Sequence, residues 1–171
     1  MDNLTETKLT SEKIYSGCIL DFYRDTVRLP NGGTAPRELS RHVGAVCIVP
    51  LIDDGRVIVE RQFRYPVNEV ITEIPAGKRD SRDEAPEAAA RRELREETGL
   101  RLTAITHVLP PAACTVGIGD ERTVCVFGTA EGTFRPSADP MEEIESAWYT
   151  RAQVRALHET DLFGSWALAY S

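Results

Sequence analysis

The chain has 171 residues, 42% hydrophobic and 27% charged, which is enough apolar content for one domain with a real core and an ordinary globular charge balance. Its formal net charge of −7 argues against a nonspecific nucleic-acid binder, which needs a basic surface. The same charge leaves room for a polyanionic small substrate, because a metal cation inverts the local field. No apolar run reaches bilayer-spanning length, and the first residues, MDNLTETKLTSEK, lack a signal-peptide core, so no membrane partner is expected. Cys18, Cys47, Cys114 and Cys125 make no CxxC, and His42, His107 and His158 stand far apart. A zinc site therefore has little support, and a reduced cytoplasmic protein is expected, with Cys47 and Cys125 as small hydrophobes inside strands.

In chain order, the first dozen residues are polar and read as loose. IYSGCILDFYRDTVRLP (14–30) reads as strand pieces anchored by Ile19, Phe22 and Val27, and NGG at 31–33 as a turn, making 14–40 a small antiparallel hairpin unit. HVGAVCIVPLI (42–52) is a continuous apolar run, the pattern of a strand buried on both faces. DDG at 53–55 turns the chain into a second strand, RVIVERQFRYP, which ends before Pro66, and EVITEIP (69–75) is a third. From Glu84 to Thr98 the period changes to that of a helix, with Pro86 in the first turn, Asp83 or a near neighbour as N-cap, and Gly99 as C-cap. Strands follow at LTAITHVLP (102–110), RTVCVFGTAEG and IESAWYT (144–150), then a helix over TRAQVRALHE and a short one over GSWALAY. The sum is a mixed sheet with helices packed on it, an α+β or α/β layered domain.

The helix carries the chemistry. Residues 87–99 read EAAARRELREETG, and Glu93, Glu96 and Glu97 crowd one end. Like charges three and four residues apart share a helix face and cost roughly a few tenths of a kcal/mol per pair. Either the interleaved arginines neutralise them, as on an ordinary charged surface helix, or something more positive sits there. Glutamate oxygens are what a hard divalent cation takes, leaving positions for water and substrate phosphates.

The stretch from Gly77 through Glu84 to Arg92-Glu93-Leu94-Arg95-Glu96-Glu97-Thr98-Gly99-Leu100 resembles the signature of the Nudix hydrolases. Its second half matches at every fixed position. In the first half six residues, not the usual five, separate Gly77 from Glu84, and the extra residue is expected to bulge the loop before the helix. The resemblance implies a Nudix fold, an α/β/α sandwich with a mixed sheet, at 41–171, preceded by an N-terminal β unit at 1–40 that serves dimerisation. It implies Glu93 and Glu97 as principal metal ligands and catalytic residues, with Glu96 sharing the site and the Ala76 carbonyl adding an oxygen. The cation is Mg²⁺, with Mn²⁺ as the other ion such a site accepts. Arg92 orients a carboxylate, and Glu84 serves the fold or the helix dipole.

VERQFRYPV (59–67) and EIPAGK (73–78) resemble the ADP-ribose and nucleoside-diphosphate-sugar pyrophosphatase branch, whose members are homodimers. That branch implies Arg64 on the substrate diphosphate, where a guanidinium fork suits phosphate oxygens. Phe63 or Tyr65 stacks on the base or packs beneath the loop. Arg37, or Arg41 beside it, reaches the partner subunit's substrate site. The base that handles the attacking water comes from SADPMEEIES (137–146), at Glu142 or else Glu143. In CTVGIGDER, Glu121 points toward the metal and water network. The expected activity is Mg²⁺-dependent hydrolysis of ADP-ribose to AMP and ribose 5-phosphate. The alternatives are other nucleoside diphosphate sugars such as GDP-mannose, UDP-glucose and ADP-glucose, or a nucleotide-sugar sensor.

Overall fold

A computed structural model describes residues 4–18, 20–52 and 54–160. Ile19 and the helix expected over GSWALAY lie outside the described residues. In chain order the elements are β1 (Thr7–Ser16), β2 (Asp21–Arg28), β3 (Thr34–Arg41), β4 (Ala45–Leu51), β5 (Val57–Arg64), β6 (Glu69–Glu73), β7 (Ala76–Lys78), α1 (Pro86–Thr98), β8 (Arg101–Val108), β9 (Ala112–Ala113), β10 (Arg122–Glu131), β11 (Ile144–Tyr149) and α2 (Arg151–Leu157). The described residues divide into two compact units, 4–44 with 112–122, and 45–111 with 123–160.

The first unit is a three-stranded antiparallel sheet in the order β1-β2-β3. It starts earlier than the sequence indicates: Thr7 already pairs with Arg28, so the polar opening is a strand. Its ten residues are all exposed, and polar cross-strand contacts hold it in place of apolar burial. Ser11 donates to Asp25 at 2.5 Å and Lys13 to Asp21 at 2.6 Å. Arg41 pairs with the buried Asp25 at 2.9 Å while its guanidinium lies 4.8 Å from the Tyr23 ring centroid.

The second unit is a mixed sheet in the order β11-β5-β4-β10-β8, with β6 paired to β5 and β7 to β4. β4 and β10 run parallel, in register at Cys47 and Cys125, and the other pairings are antiparallel. β4 is buried on both faces, as its apolar run requires. Val46 and Ile48 point to α1, packing with Ile58, Ala90, Leu94, Leu102 and Val126. Cys47 and Val49 point the other way, packing with Val59, Ile74, Cys125 and Val154 of α2. The sheet is thus the middle layer of an α/β/α sandwich, the expected Nudix-type arrangement.

α1 begins at Pro86, two residues later than the apolar period implies. Its N-cap is Ala85, which makes no side-chain bond, so Asp83 does not cap it. Gly99 ends it at φ 75°, donating its N–H to the Arg95 carbonyl at 2.9 Å; that left-handed conformation favours glycine. Leu94 is fully buried and stabilises the docking by about 1.5–3 kcal/mol. That anchor fixes the rotation of the helix, and with it the direction of Glu93 and Glu97.

Candidate active site

Anchoring Leu94 in the core turns Glu97 inward as well, leaving its residue 7% exposed. Its Oε2 is buried with no hydrogen-bond partner among the described residues, a costly state for a carboxylate. Glu60 from β5 and Glu73 from β6 are buried too, and face each other across the antiparallel ladder. Glu60 accepts from Ser146 Oγ at 3.0 Å, and Glu73 pairs with Arg64 at 2.7 Å. A groove of about 580 Å³ opens beside this cluster, lined by Ala76, Gly77, Arg92, Glu93, Glu96, Glu97 and Glu142 among others.

The electrostatics follow from the crowding. Burial pushes the Glu97 carboxyl up to about 10, and the charges of Glu60, Glu93, Glu142 and Glu73 add to the shift. Burial likewise raises Glu60 to about 7, against the Ser146 hydrogen bond and with the help of Glu73. Glu73 and Glu93 are raised by burial, with Arg64 and Arg92 respectively opposing. The negative charge of Glu142 acts on all four.

Arg92 is the positive counterweight. It donates to Glu93 at 2.8 Å, Glu96 at 3.0 Å, Glu84 at 3.2 Å and the Lys78 carbonyl at 3.0 Å, and Glu84 foremost, with Glu93 and Glu96, raises its proton affinity. Glu84 is a structural residue here: it accepts from the Asp80 N–H at 2.7 Å and from Arg92, which holds its carboxyl below the usual range. The loop with the extra residue folds around Arg79, which donates to the carbonyls of Arg82 and Glu84. On the other side, a Cβ at Gly77 would run into the Glu93 carboxylate. Glycine there lets β7 pass directly under that carboxylate.

Among the described residues no three His, Cys, Asp or Glu side chains close into a coordinating group, and Arg92 pairs with both Glu93 and Glu96. The donor set nevertheless fits a hard divalent cation. Glu97 offers a buried oxygen with no hydrogen-bond partner among the described residues, and Glu93, Glu96 and Ala76 line the same groove.

The structure brings Glu93, Glu96, Glu97, Ala76 and Glu142 to one groove, with Arg64 tied to Glu73. Glu143 lines a neighbouring groove with Arg61 and Phe63 instead. Arg37 and Glu121 belong to the other unit. There, Arg37 Nε donates to Glu6 at 3.0 Å, and Glu121 lies 4.0 Å from His42 Nδ1. Glu60, Glu73 and Ser146 were not singled out from the sequence. The clue available was the pair of glutamates in VERQF and TEIP, each directly beside a β-branched residue of its strand, Val59 and Thr72.

The NUDIX domain family matches residues 41–166. The chain belongs to this family. Among curated NUDIX relatives, an ADP-ribose pyrophosphatase of Mycobacterium tuberculosis is 35% identical over 165 residues, 94% of this chain and 79% of that protein. An ADP-ribose pyrophosphatase of Bacillus subtilis is 43% identical over 108 residues, 63% of this chain and 58% of that protein. A crystal structure of an ADP compounds hydrolase superposes with a TM-score of 0.79 at 21% identity, covering 96% of this chain and 89% of the other; at that identity the likeness concerns the fold. The acidic groove sits inside the NUDIX match, as do Glu60, Glu73 and Ser146.

Proposed function

We propose that this NUDIX protein is a divalent-cation-dependent pyrophosphatase that hydrolyses ADP-ribose to AMP and ribose 5-phosphate. The observation that carries the reading is the buried, unpartnered Glu97 oxygen amid Glu60, Glu73, Glu93 and Glu142. So much like charge in a partly desolvated groove is explained by a cation and a diphosphate arriving together. The names of the two relatives support ADP-ribose as the substrate.

Glu93, Glu96, Glu97 and the Ala76 carbonyl would hold Mg²⁺ or Mn²⁺. When bound, the cation supplies charge neutralisation at the phosphoryl oxygens and lowers the pKa of water. Glu142, at the rim of the groove, orients the attacking water and accepts its proton. Water adds to one phosphorus of the diphosphate, the bridging P–O bond breaks, and the departing phosphate leaves with the bridging oxygen. Arg64, half-exposed beside Glu73, faces the diphosphate with the donors left over from that pair. Arg92 keeps Glu93 and Glu96 aimed at the groove. Homodimerisation through the N-terminal sheet is part of the proposal, supported by the exposure of Leu9, Ile14 and Tyr15 there. Arg37 and Glu121, both in that unit, are assigned to substrate binding.

The test is a Mg²⁺-dependent hydrolysis panel of ADP-ribose, GDP-mannose, UDP-glucose and ADP-glucose with product identification, alongside light scattering on a dilution series. A preference for ADP-ribose of about a hundredfold in kcat/KM corresponds to about 2.7 kcal/mol of transition-state discrimination and supports the reading. A flat profile replaces ADP-ribose with nucleoside diphosphate sugars in general. No turnover of any member refutes the enzyme.

A further inference from the structure

Three pairs of residues, each one turn apart, follow one another around α1: the exposed Arg91 and Arg95, then Arg92 and Glu96, then Glu93 and the buried Glu97. The last pair belongs to the acidic groove. The first lines a separate groove of about 920 Å³, where α1 meets the start of β8. Arg92, Glu96 and Ala138 line both grooves, so the middle pair forms the wall between them.

Four arginines and two glutamates line this second groove. Arg101 is paired with Glu131 and Arg92 with Glu96. Arg91 donates to the Leu102 carbonyl, which fixes its guanidinium without cancelling its charge. Arg95 has no side-chain hydrogen bond or ion pair among the described residues. Two uncompensated positive charges thus stand one turn apart in a chain whose net charge is −7. Arg95, in the last turn, also complements the helix C-terminus. That accounts for neither Arg91, in mid-helix, nor the groove.

We propose that this groove is a site for a phosphate dianion, either orthophosphate or a phosphate monoester, clasped between Arg91 and Arg95. Such a group carries close to two negative charges near neutral pH, matching the two uncompensated guanidinium charges, and its oxygens suit their forked donors. Occupancy is felt in the neighbouring groove. A dianion beside Arg92 draws that guanidinium off Glu93 and Glu96, leaving their carboxylates free for a cation, so the two ligands favour each other's binding. The site lies apart from the catalytic groove and stands whether or not ADP-ribose is the substrate.

The experiment is titration calorimetry of the full chain in EDTA, where the uncompensated acidic groove repels anions. Orthophosphate, ribose 5-phosphate and AMP are the probes, used singly and in competition. Saturable one-site binding that weakens by about tenfold or more in R91Q/R95Q, and survives in R95K, supports the site. Tighter binding of a monoester than of orthophosphate makes an organic phosphate the occupant, and equal affinity makes it free phosphate. No saturable binding overturns the proposal, as does binding unchanged in the double variant. If R91Q/R95Q fails to fold by circular dichroism, single R95Q with the same titration decides, and unchanged affinity there refutes the clasp.

Discussion

Replacing Glu97 with glutamine is expected to abolish hydrolysis while making the metal-free protein more stable. In the unfolded chain Glu97 titrates near its ordinary value of 4.5; in the folded chain burial and four neighbouring carboxylates push it up to about 10. Between those values the native state keeps a proton that the unfolded state has released. Stability therefore falls as pH rises, by about 1.4 kcal/mol per pH unit for one full proton. The penalty is absent below the lower value, complete at the upper, and on the order of 3 kcal/mol at about pH 7. Glutamine cannot ionise in either state, so Glu97→Gln removes this slope. For a chain of this length one kcal/mol moves Tm by about 2–4 °C. Thermal melts in EDTA between about pH 5 and pH 8 should show the variant several degrees above the parent at the alkaline end, converging at the acid end. Added Mg²⁺ should raise the parent's Tm and leave the variant's nearly still. Parallel melting curves, or a variant less stable at every pH, would refute the claim that Glu97 is an uncompensated buried acid.

Four further variants test the site. Gly77→Ala sets a methyl against the Glu93 carboxylate, so Mg²⁺ titrations of activity should show more than about tenfold loss while circular dichroism stays that of the parent. Glu142→Gln should lower kcat by about a hundredfold or more with KM little changed. Glu143→Gln, on the neighbouring groove, should stay within about threefold by the same steady-state assay. Ser146→Ala deletes the hydrogen bond to buried Glu60, so urea unfolding in EDTA at alkaline pH should show a loss of about 1–3 kcal/mol.

The helix was the most legible part of the molecule. Glu93, Glu97 and Gly99 lie within seven residues, and a 3.6-residue period with a glycine stop places them without any tertiary information. The strands were legible where apolar runs are dense, as in β4. They failed to register where polar side chains do the holding: β1 is exposed along its whole length, and its opening residues pair with partners well along the chain, such as Thr7 with Arg28. The helix start was misplaced because Asp83 has the right chemistry for a cap, yet the loop is closed from Arg79 and Arg92 instead. Glu60 and Glu73 escaped for a similar reason. Each sits in a strand among β-branched residues, and only the β5–β6 register sets them opposite one another. Sequence spacing encodes neighbours along a helix; it does not encode which residue a strand will meet.

That register has a consequence for how the chain reaches its native state. Directly opposed like charges weaken an antiparallel ladder, and here they sit in the interior half of the β5–β6 hairpin. The pairs nearer the turn, Phe63 with Val70 and Gln62 with Ile71, carry no such conflict. The hairpin is locally frustrated at its functional end: it can zip from the turn, but Glu60 and Glu73 resist closure until Ser146 of β11 and the side chain of Arg64 are in place to receive them. The acids that equip the groove thus make β11, the last described strand in chain order, a prerequisite for finishing a hairpin whose Glu60 lies 86 residues before Ser146.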